Sequence, residues 1–199
     1  MKPRHIQCAC DKSECPVYSK CCFLPTEYYE SPGGTVELLV VGQGGGKDER
    51  KKGRPFIGPA GHRLRNQLRY IRRQTRHFGV AFSNTIRDNP KNNRVPTDEE
   101  VELCLPYLLK DIAWLKKKGL KAIVPLGRAA KSALVQSKGT MANDRGRVFY
   151  LFDDLFGSVP VIPTYHPSYF LFKHITFTPK NFHDMELLAI GDIMRALDM

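Results

Sequence analysis

The chain predicts a three-layer α/β/α domain with parallel strands, and three observations carry that expectation. The runs Val36–Val41 (VELLVV) and Lys121–Leu126 (KAIVPL) are short and continuously apolar at their centres, the pattern of strands buried on both faces. Such runs alternate with segments of helical signature, and strand–helix alternation implies crossover connections and a parallel sheet. Finally, 199 residues with 42% hydrophobic and 26% charged side chains have the size and balance of one globular domain.

The elements follow in order. Ser31-Pro-Gly-Gly34 is a turn signal ahead of the first strand. The glycine loop Gly42–Gly46 follows that strand, and no helix is expected to open from it. Pro59 to about Phe78 reads as a helix with a basic face, and Val80–Ser83 as a second strand ending at Asn84. Thr97 is a helix N-cap with Asp98, Glu99 and Glu100 in the first turn, where acids favour the helix dipole; this helix should run to about Lys118. Lys121–Leu126 is a third strand, Gly127–Ser137 a short Ala-rich helix, and Val148–Leu151 and Val159–Ile162 are further strands. His166-Pro167-Ser168 comes just after the last strand, and Asn181–Leu197 is a closing helix. Ligands of parallel sheets sit beyond the carboxyl ends of the strands. Gly42–Gly46, Asn84 and Tyr165–Ser168 occupy those ends and are expected to form one site.

Charge narrows the partner. Lys and Arg number 31 against 20 Asp and Glu, a net charge of +11, which favours a polyanion because each cation near a phosphate releases condensed counterions. The cations concentrate in Lys47–Lys52 and Arg63–Arg76. A membrane-surface helix needs a broad apolar face, and Leu64, Leu68 and Ile71 supply only a narrow one, so nucleic acid is the expected partner. The apolar runs are all far shorter than the roughly 18 residues of a bilayer span. The N-terminus has no apolar leader, so the expected setting is the cytoplasm, in association with the nucleoid.

Five of the six cysteines, Cys8, Cys10, Cys15, Cys21 and Cys22, crowd the N-terminus, and Cys104 lies alone. Without a leader, such a cluster points to metal or redox chemistry, and thiolates select zinc or an iron–sulfur centre over hard cations. The spacing matches no paired CxxC zinc knuckle. Residues 1–30 are therefore read as a Cys-rich, metal-binding segment packed on a main domain of residues 31–199. The glycine loop matches neither nucleotide motif. A P-loop needs one more residue and a Ser or Thr where Asp48 stands, and a dinucleotide fingerprint needs a third glycine where Lys47 stands. What the glycines offer is close backbone approach and amide donors.

Taken together, the segments resemble a known family. Gly42-Gln-Gly-Gly-Gly46, Gly53-Arg-Pro-Phe-Ile-Gly58, Asn84-Thr-Ile-Arg-Asp88, Pro96-Thr-Asp-Glu-Glu100 with Cys104-Leu-Pro-Tyr107, Lys121–Ala130 and Pro163-Thr-Tyr-His-Pro-Ser168 stand in the order and spacing of the uracil-DNA glycosylase superfamily. The match is most similar to family 4, the iron–sulfur type, from about Cys15 to the last helix. The resemblance implies a central, mainly parallel four-stranded sheet and excision of uracil from DNA by cleavage of the N-glycosidic bond after base flipping. It implies that Phe56 stacks on the base and Asn84 reads its Watson–Crick edge. His166 would stabilise the carbonyl oxygen where negative charge collects. Gly42, Gln43, Gly44, Gly45 and Gly46 would line the substrate pocket. Tyr165, Pro167, Ser168 and Tyr169 would press on the DNA, with Tyr169, Phe170 or Leu171 as the wedge, and Arg63 and Arg65 would meet phosphates. It also implies a monomer.

Two departures stand out. The family carries Gly-Glu-Ala-Pro-Gly at the first motif; here Gln43 replaces the Glu and cannot accept a proton, unless Asp48 or Glu49 supplies a carboxylate. The family's metal site has four cysteines. Cys15 and Cys104 fit two of them, while Lys12 and Asp88 occupy the other two. The expected [4Fe–4S] cluster is then held by Cys15, Cys104, Cys10 and Cys22, with Cys8, Cys21 and Asp88 as alternates and zinc as the competing metal. Two other functions compete: a catalytically silent DNA-binding module of the same fold, and a glycosylase for a modified pyrimidine admitted by space at Gly44-Gly45.

Overall fold

A computed structural model of the chain describes residues 2–7, 24–88, 90, 94–171 and 179–199. The strands are β1 (Arg4–Ile6), β2 (Thr26–Tyr29), β3 (Leu38–Gly42), β4 (Val80–Asn84), β5 (Ala122–Pro125), β6 (Phe149–Asp153) and β7 (Gly157–Val161). The helices are α1 (Lys47–Lys52), α2 (Pro59–Gln74), α3 (Asp98–Lys117), α4 (Gly127–Leu134), α5 (Met141–Asp144) and α6 (Pro179–Leu197), with a 3-10 turn at Pro167–Phe170. The strands form one sheet in the order β1-β2-β4-β3-β5-β7-β6.

The four parallel strands expected are the centre of this sheet, since β4, β3, β5 and β7 pair in parallel. The sheet is nevertheless seven-stranded and mixed: β1 and β2 add antiparallel at one edge and β6 folds back on β7 at the other. Both added strands at the first edge come from the first 30 residues, so part of that segment is built into the sheet. Local pattern hides β2 because Thr26-Glu27-Tyr28-Tyr29 looks polar. Glu27 is nonetheless fully buried, its carboxylate gripped by Arg54 at 2.7 Å and Arg65 at 2.6 Å. A second difference is α1, a short helix that does open directly after the glycine loop with Gly46 as its N-cap.

Alternate residues of the central strands feed two cores. Leu38 and Val40 pack with Leu64, Leu68 and Ile71 of α2 and Ile193 of α6. Leu39 and Val41 pack with Leu108, Ile112 and Leu115 of α3 and Leu134 of α4. Each such buried side chain contributes about 1.5–3 kcal/mol relative to exposure, which makes the sheet centre a stiff base for whatever its edge carries. Helix α3 starts as expected: the Thr97 hydroxyl accepts the Glu100 N–H, and the Glu100 carboxylate returns a bond to the Thr97 N–H. Among the described residues no helix is long and apolar enough to cross a membrane.

Candidate active site

The carboxyl ends of the parallel strands converge by register. Gly42 pairs with Asn84, so β3 and β4 leave the sheet side by side. The Thr85 N–H donates to the Gly42 carbonyl at 2.9 Å, and the Ile86 N–H to the Gln43 carbonyl at 3.1 Å. Beyond β5, the Leu126 N–H reaches the Val41 carbonyl at 2.8 Å and the Gly127 N–H reaches the Thr164 carbonyl at 2.8 Å. His166 therefore emerges at the same edge. Gln43, Glu49, Phe56, Asn84, Gly127 and His166 line one cleft of about 1110 Å³, larger than a pyrimidine.

Three side chains separated along the chain meet here because glycines make room. A Cβ on Gly42 would stand 2.6 Å from Asn84 Oδ1 and 2.7 Å from Phe56 Cζ, so the carboxamide and the ring share the corner that the missing side chain leaves. Gly127, at φ +78°, would place a Cβ 3.1 Å from that of His166. Gly61 lets the first turn of α2 rest on the Phe56 backbone, since its Cβ would lie 2.1 Å from the Phe56 carbonyl carbon. Phe56 itself has φ 54°, the one non-glycine with positive φ among the described residues. An aromatic residue in that region costs about 1–3 kcal/mol and persists only where its surroundings over-determine it.

The environment of His166 sets its protonation. The Ser168 N–H, which can only donate, points to Nδ1 at 3.1 Å, and the Ser168 hydroxyl lies 2.7 Å from the same nitrogen. Nδ1 is therefore the lone-pair nitrogen, and the proton of the neutral ring sits on Nε2. Desolvation in the cleft wall pushes the imidazole down to about 4 from its ordinary 6.5, only partly opposed by the Glu49 carboxylate. At neutral pH His166 is an uncharged donor. Such a group can bond an oxygen as that oxygen turns anionic without carrying a charge of its own.

The first-motif carboxylate is replaced by Gln43, whose backbone carbonyl accepts from the Thr85 hydroxyl at 2.6 Å. Of the two nearby acids, Asp48 is exposed on the rim and Glu49 is buried. Glu49 Oε1 accepts the N–H groups of Ile57 at 2.9 Å and Gly58 at 2.7 Å. In sequence this acid is hidden inside the charged run KDERKK.

Several expectations are redirected. Gly44 and Gly45 do not open space beside a base. A Cβ on Gly44 would meet Ile86 at 3.0 Å and one on Gly45 would meet Leu24 at 2.2 Å, so these glycines admit core side chains. Together with Gly46 they line the cleft, while Gly42 lies buried behind it. Arg65 is turned inward onto Glu27. Arg63 forks onto Glu186 at 2.9 and 2.6 Å and lies over the Phe170 ring. Arg76, just past α2, is likewise held by Glu37, so three arginines of the Arg63–Arg76 segment are paired within the fold while Arg69 and Arg73 stay exposed. Exposed cations that line the cleft are Lys47, from the Lys47–Lys52 run, and Arg94 and Arg128, which charge pattern alone did not single out; Arg94 is paired with Glu100. Of the wedge candidates Phe170 is buried, Tyr169 stacks on Tyr165 at 5.4 Å, and Leu171 is exposed at the cleft. Pro167 is buried and Ser168 faces the cleft.

For a metal, the described residues supply one thiol, Cys104, buried against Ile86 and Val101. Asp88, two residues after Ile86, is also buried, and its hard oxygen is a poor stand-in for a third thiolate. No group of three or more metal-ligating side chains occurs among the described residues. Cys8, Cys10, Cys15, Cys21 and Cys22 lie outside them.

Comparison with known proteins agrees with this geometry. The model of the uracil DNA glycosylase superfamily matches residues 30–186. Curated relatives include a type-4 uracil-DNA glycosylase of Thermotoga maritima, 39% identical over 139 residues covering 68% of this chain and 67% of the relative. The type-4 enzyme of Pyrobaculum aerophilum is 37% identical over 68% of each chain, and that of Archaeoglobus fulgidus 34% identical over 74% of each. With the family model spanning most of the chain, and a cleft at the strand ends where that family's motifs fall, the chain belongs to the uracil-DNA glycosylase superfamily, among relatives of type 4.

Proposed function

We propose that this chain is a DNA glycosylase that excises uracil as the first step of base-excision repair. The single observation that carries the reading is the meeting of Phe56, Asn84 and His166 around one cleft at the strand ends. The nucleotide swings out of the duplex into the cleft. Phe56 stacks beneath the base, and the Asn84 carboxamide pairs with its Watson–Crick edge, accepting from the uracil imide N–H and donating to the adjacent carbonyl, a pattern that cytosine cannot match. The bond between N1 of the base and C1′ of the sugar breaks, its electron pair goes to the base, and His166 Nε2–H donates to the carbonyl oxygen that gains the charge. Water adds to C1′ and the proton it loses neutralises the uracil anion, leaving free uracil and an abasic site. Gln43 can hold that water but cannot take its proton. The reaction therefore leans on leaving-group stabilisation, a contribution of about 10²–10³-fold for one well-aimed donor.

Around the cleft, Lys47 and Arg128 meet the backbone phosphates and Leu171 fills the gap left in the stack. The N-terminal cysteines join Cys104 in a four-iron cluster through Cys15, Cys10 and Cys22, a tie between the N-terminus and α3 with no part in the reaction. The burial of Cys104, on the helix where the family motif places a ligand, supports this reading. The enzyme works as a monomer in the nucleoid-associated cytoplasm.

The test is incubation with oligonucleotides carrying a single uracil, a thymine mismatch or a modified pyrimidine, followed by alkali cleavage at abasic sites. Uracil-specific cleavage is expected. Tight uracil-DNA binding without cleavage would instead make the chain a silent reader, the outcome that Gln43 favours. Iron and acid-labile sulfide with brown colour are expected in anaerobically purified protein, and colourless protein containing zinc would overturn the cluster.

A further inference from the structure

The strained backbone of Phe56 is gripped from two sides by charged side chains. Arg65 Nε donates to the Phe56 carbonyl at 2.9 Å and its Nη2 to the Pro55 carbonyl at 3.1 Å. The same guanidinium lies 4.4 Å from the centre of the Phe82 ring, and that ring stands 5.8 Å from the ring of Phe56. Arg65 is itself anchored by the buried Glu27 carboxylate at 2.6 Å. From the other side, Glu49 Oε1 takes up the next two N–H groups, those of Ile57 and Gly58. Carbonyls before the turn and amides after it are thus satisfied by one cation and one anion, which leaves the intervening residue little freedom to relax.

We infer that Arg65 and Glu49 are positioning residues that lock Phe56 in its left-handed conformation so that its ring forms the floor for the everted base. The inference rests on the uracil-excision reading and changes two assignments within it. Arg65 acts on the platform rather than on a phosphate, and Glu49 is a backbone acceptor rather than the missing general base. Its Oε1 is occupied by two amide donors, the arrangement of a structural anchor.

The test measures kcat, KM, Tm and the salt dependence of binding to a uracil-containing oligonucleotide for wild type, Arg65→Gln, Glu49→Gln, Glu49→Ala and Phe56→Ala. Arg65→Gln should lower kcat by about 10–100-fold with KM within about threefold, and leave the slope of log affinity against log salt at its wild-type value. A slope shallower by about one, with kcat intact, would mean a phosphate contact and overturn the inference. In a Phe56→Ala background, Arg65→Gln should add less than about threefold, because residues acting through one another are not additive. A full multiplicative loss in that background would overturn it too. Glu49→Gln keeps an oxygen acceptor and should lose clearly less activity than Glu49→Ala; equal losses would mark a general base and refute the anchor. Equilibrium preference for uracil over thymine in the oligonucleotide is read in parallel. A wild type that binds selectively but does not cleave sinks the excision reading, while loss of that preference in Arg65→Gln still reports the clamp.

Discussion

The two walls of the cleft are held in different ways. On the β3–β4 side, Asn84 and Phe56 come together because Gly42 has no side chain, and Leu24 and Ile86 close in on Gly45 and Gly44. On the side that follows β7, the segment bearing His166 is strapped down by polar groups. The Thr164 hydroxyl donates to Asp192 at 2.7 Å, Arg145 forks onto the same carboxylate and donates to the Leu188 carbonyl at 2.9 Å, and Arg145 also lies over the Tyr165 ring. Burial pushes the Asp192 carboxyl up, against the pull of Thr164 and Arg145. The glycine wall is specified by shape and should respond to added volume. The histidine wall is specified by charge and hydrogen bonds and should respond to lost partners and to pH.

The largest expected effect lies on the histidine wall at the reacting atoms. His166→Ala should slow uracil release by about 10²–10³-fold while Tm stays near wild type, the scale of removing one donor from a developing anion. Uracil release at the wild-type rate would remove His166 from the mechanism. On the glycine wall, Gly42→Ala should cost about tenfold or more in kcat and about 1–3 kcal/mol of stability measured by denaturant unfolding, because a methyl there must displace Asn84 or Phe56. If Gly42→Ala is both stable and active, the shape argument fails.

Smaller effects sharpen the contrast. Arg145→Ala leaves the Asp192 carboxylate buried beside a single hydroxyl and should destabilise by about 2 kcal/mol, below the 3–5 kcal/mol of a fully buried pair because Arg145 is partly exposed. Its kcat should fall through His166 rather than through base recognition, so uracil-over-thymine preference is retained. The least effect is expected from pH within the neutral range. Depression of His166 from 6.5 to about 4 keeps it neutral, so the rate should hold between about pH 8 and 5 and fall only toward pH 4. The stability sign agrees. Between pH 6.5 and about 4 the unfolded chain takes up the proton first, so stability is full above 6.5 and declines as pH drops through that window. An activity profile titrating near 6.5 would show that His166 is solvated.

The sequence alone was enough for the parallel centre of the sheet, the capped start of α3 and the order in which the glycine loop, Asn84 and His166 arrive at the strand ends. These are local signals: apolar runs, a Thr97 N-cap followed by three acids, and motifs whose spacing needs no partner to be read. Only the tertiary structure decided where the charges go. Glu27 meets Arg65 across 38 residues and Glu186 meets Arg63 across 123, so a strand that looks polar is buried and the two arginines of α2 expected on phosphate are turned to acids within the fold. The same holds for Glu49, which sits in a run of cations yet folds inward to hold the backbone next to Phe56. An apolar residue declares its burial by its own chemistry. A charged one is buried or exposed according to a partner that the chain supplies from far away, and that pairing exists only once the fold has formed.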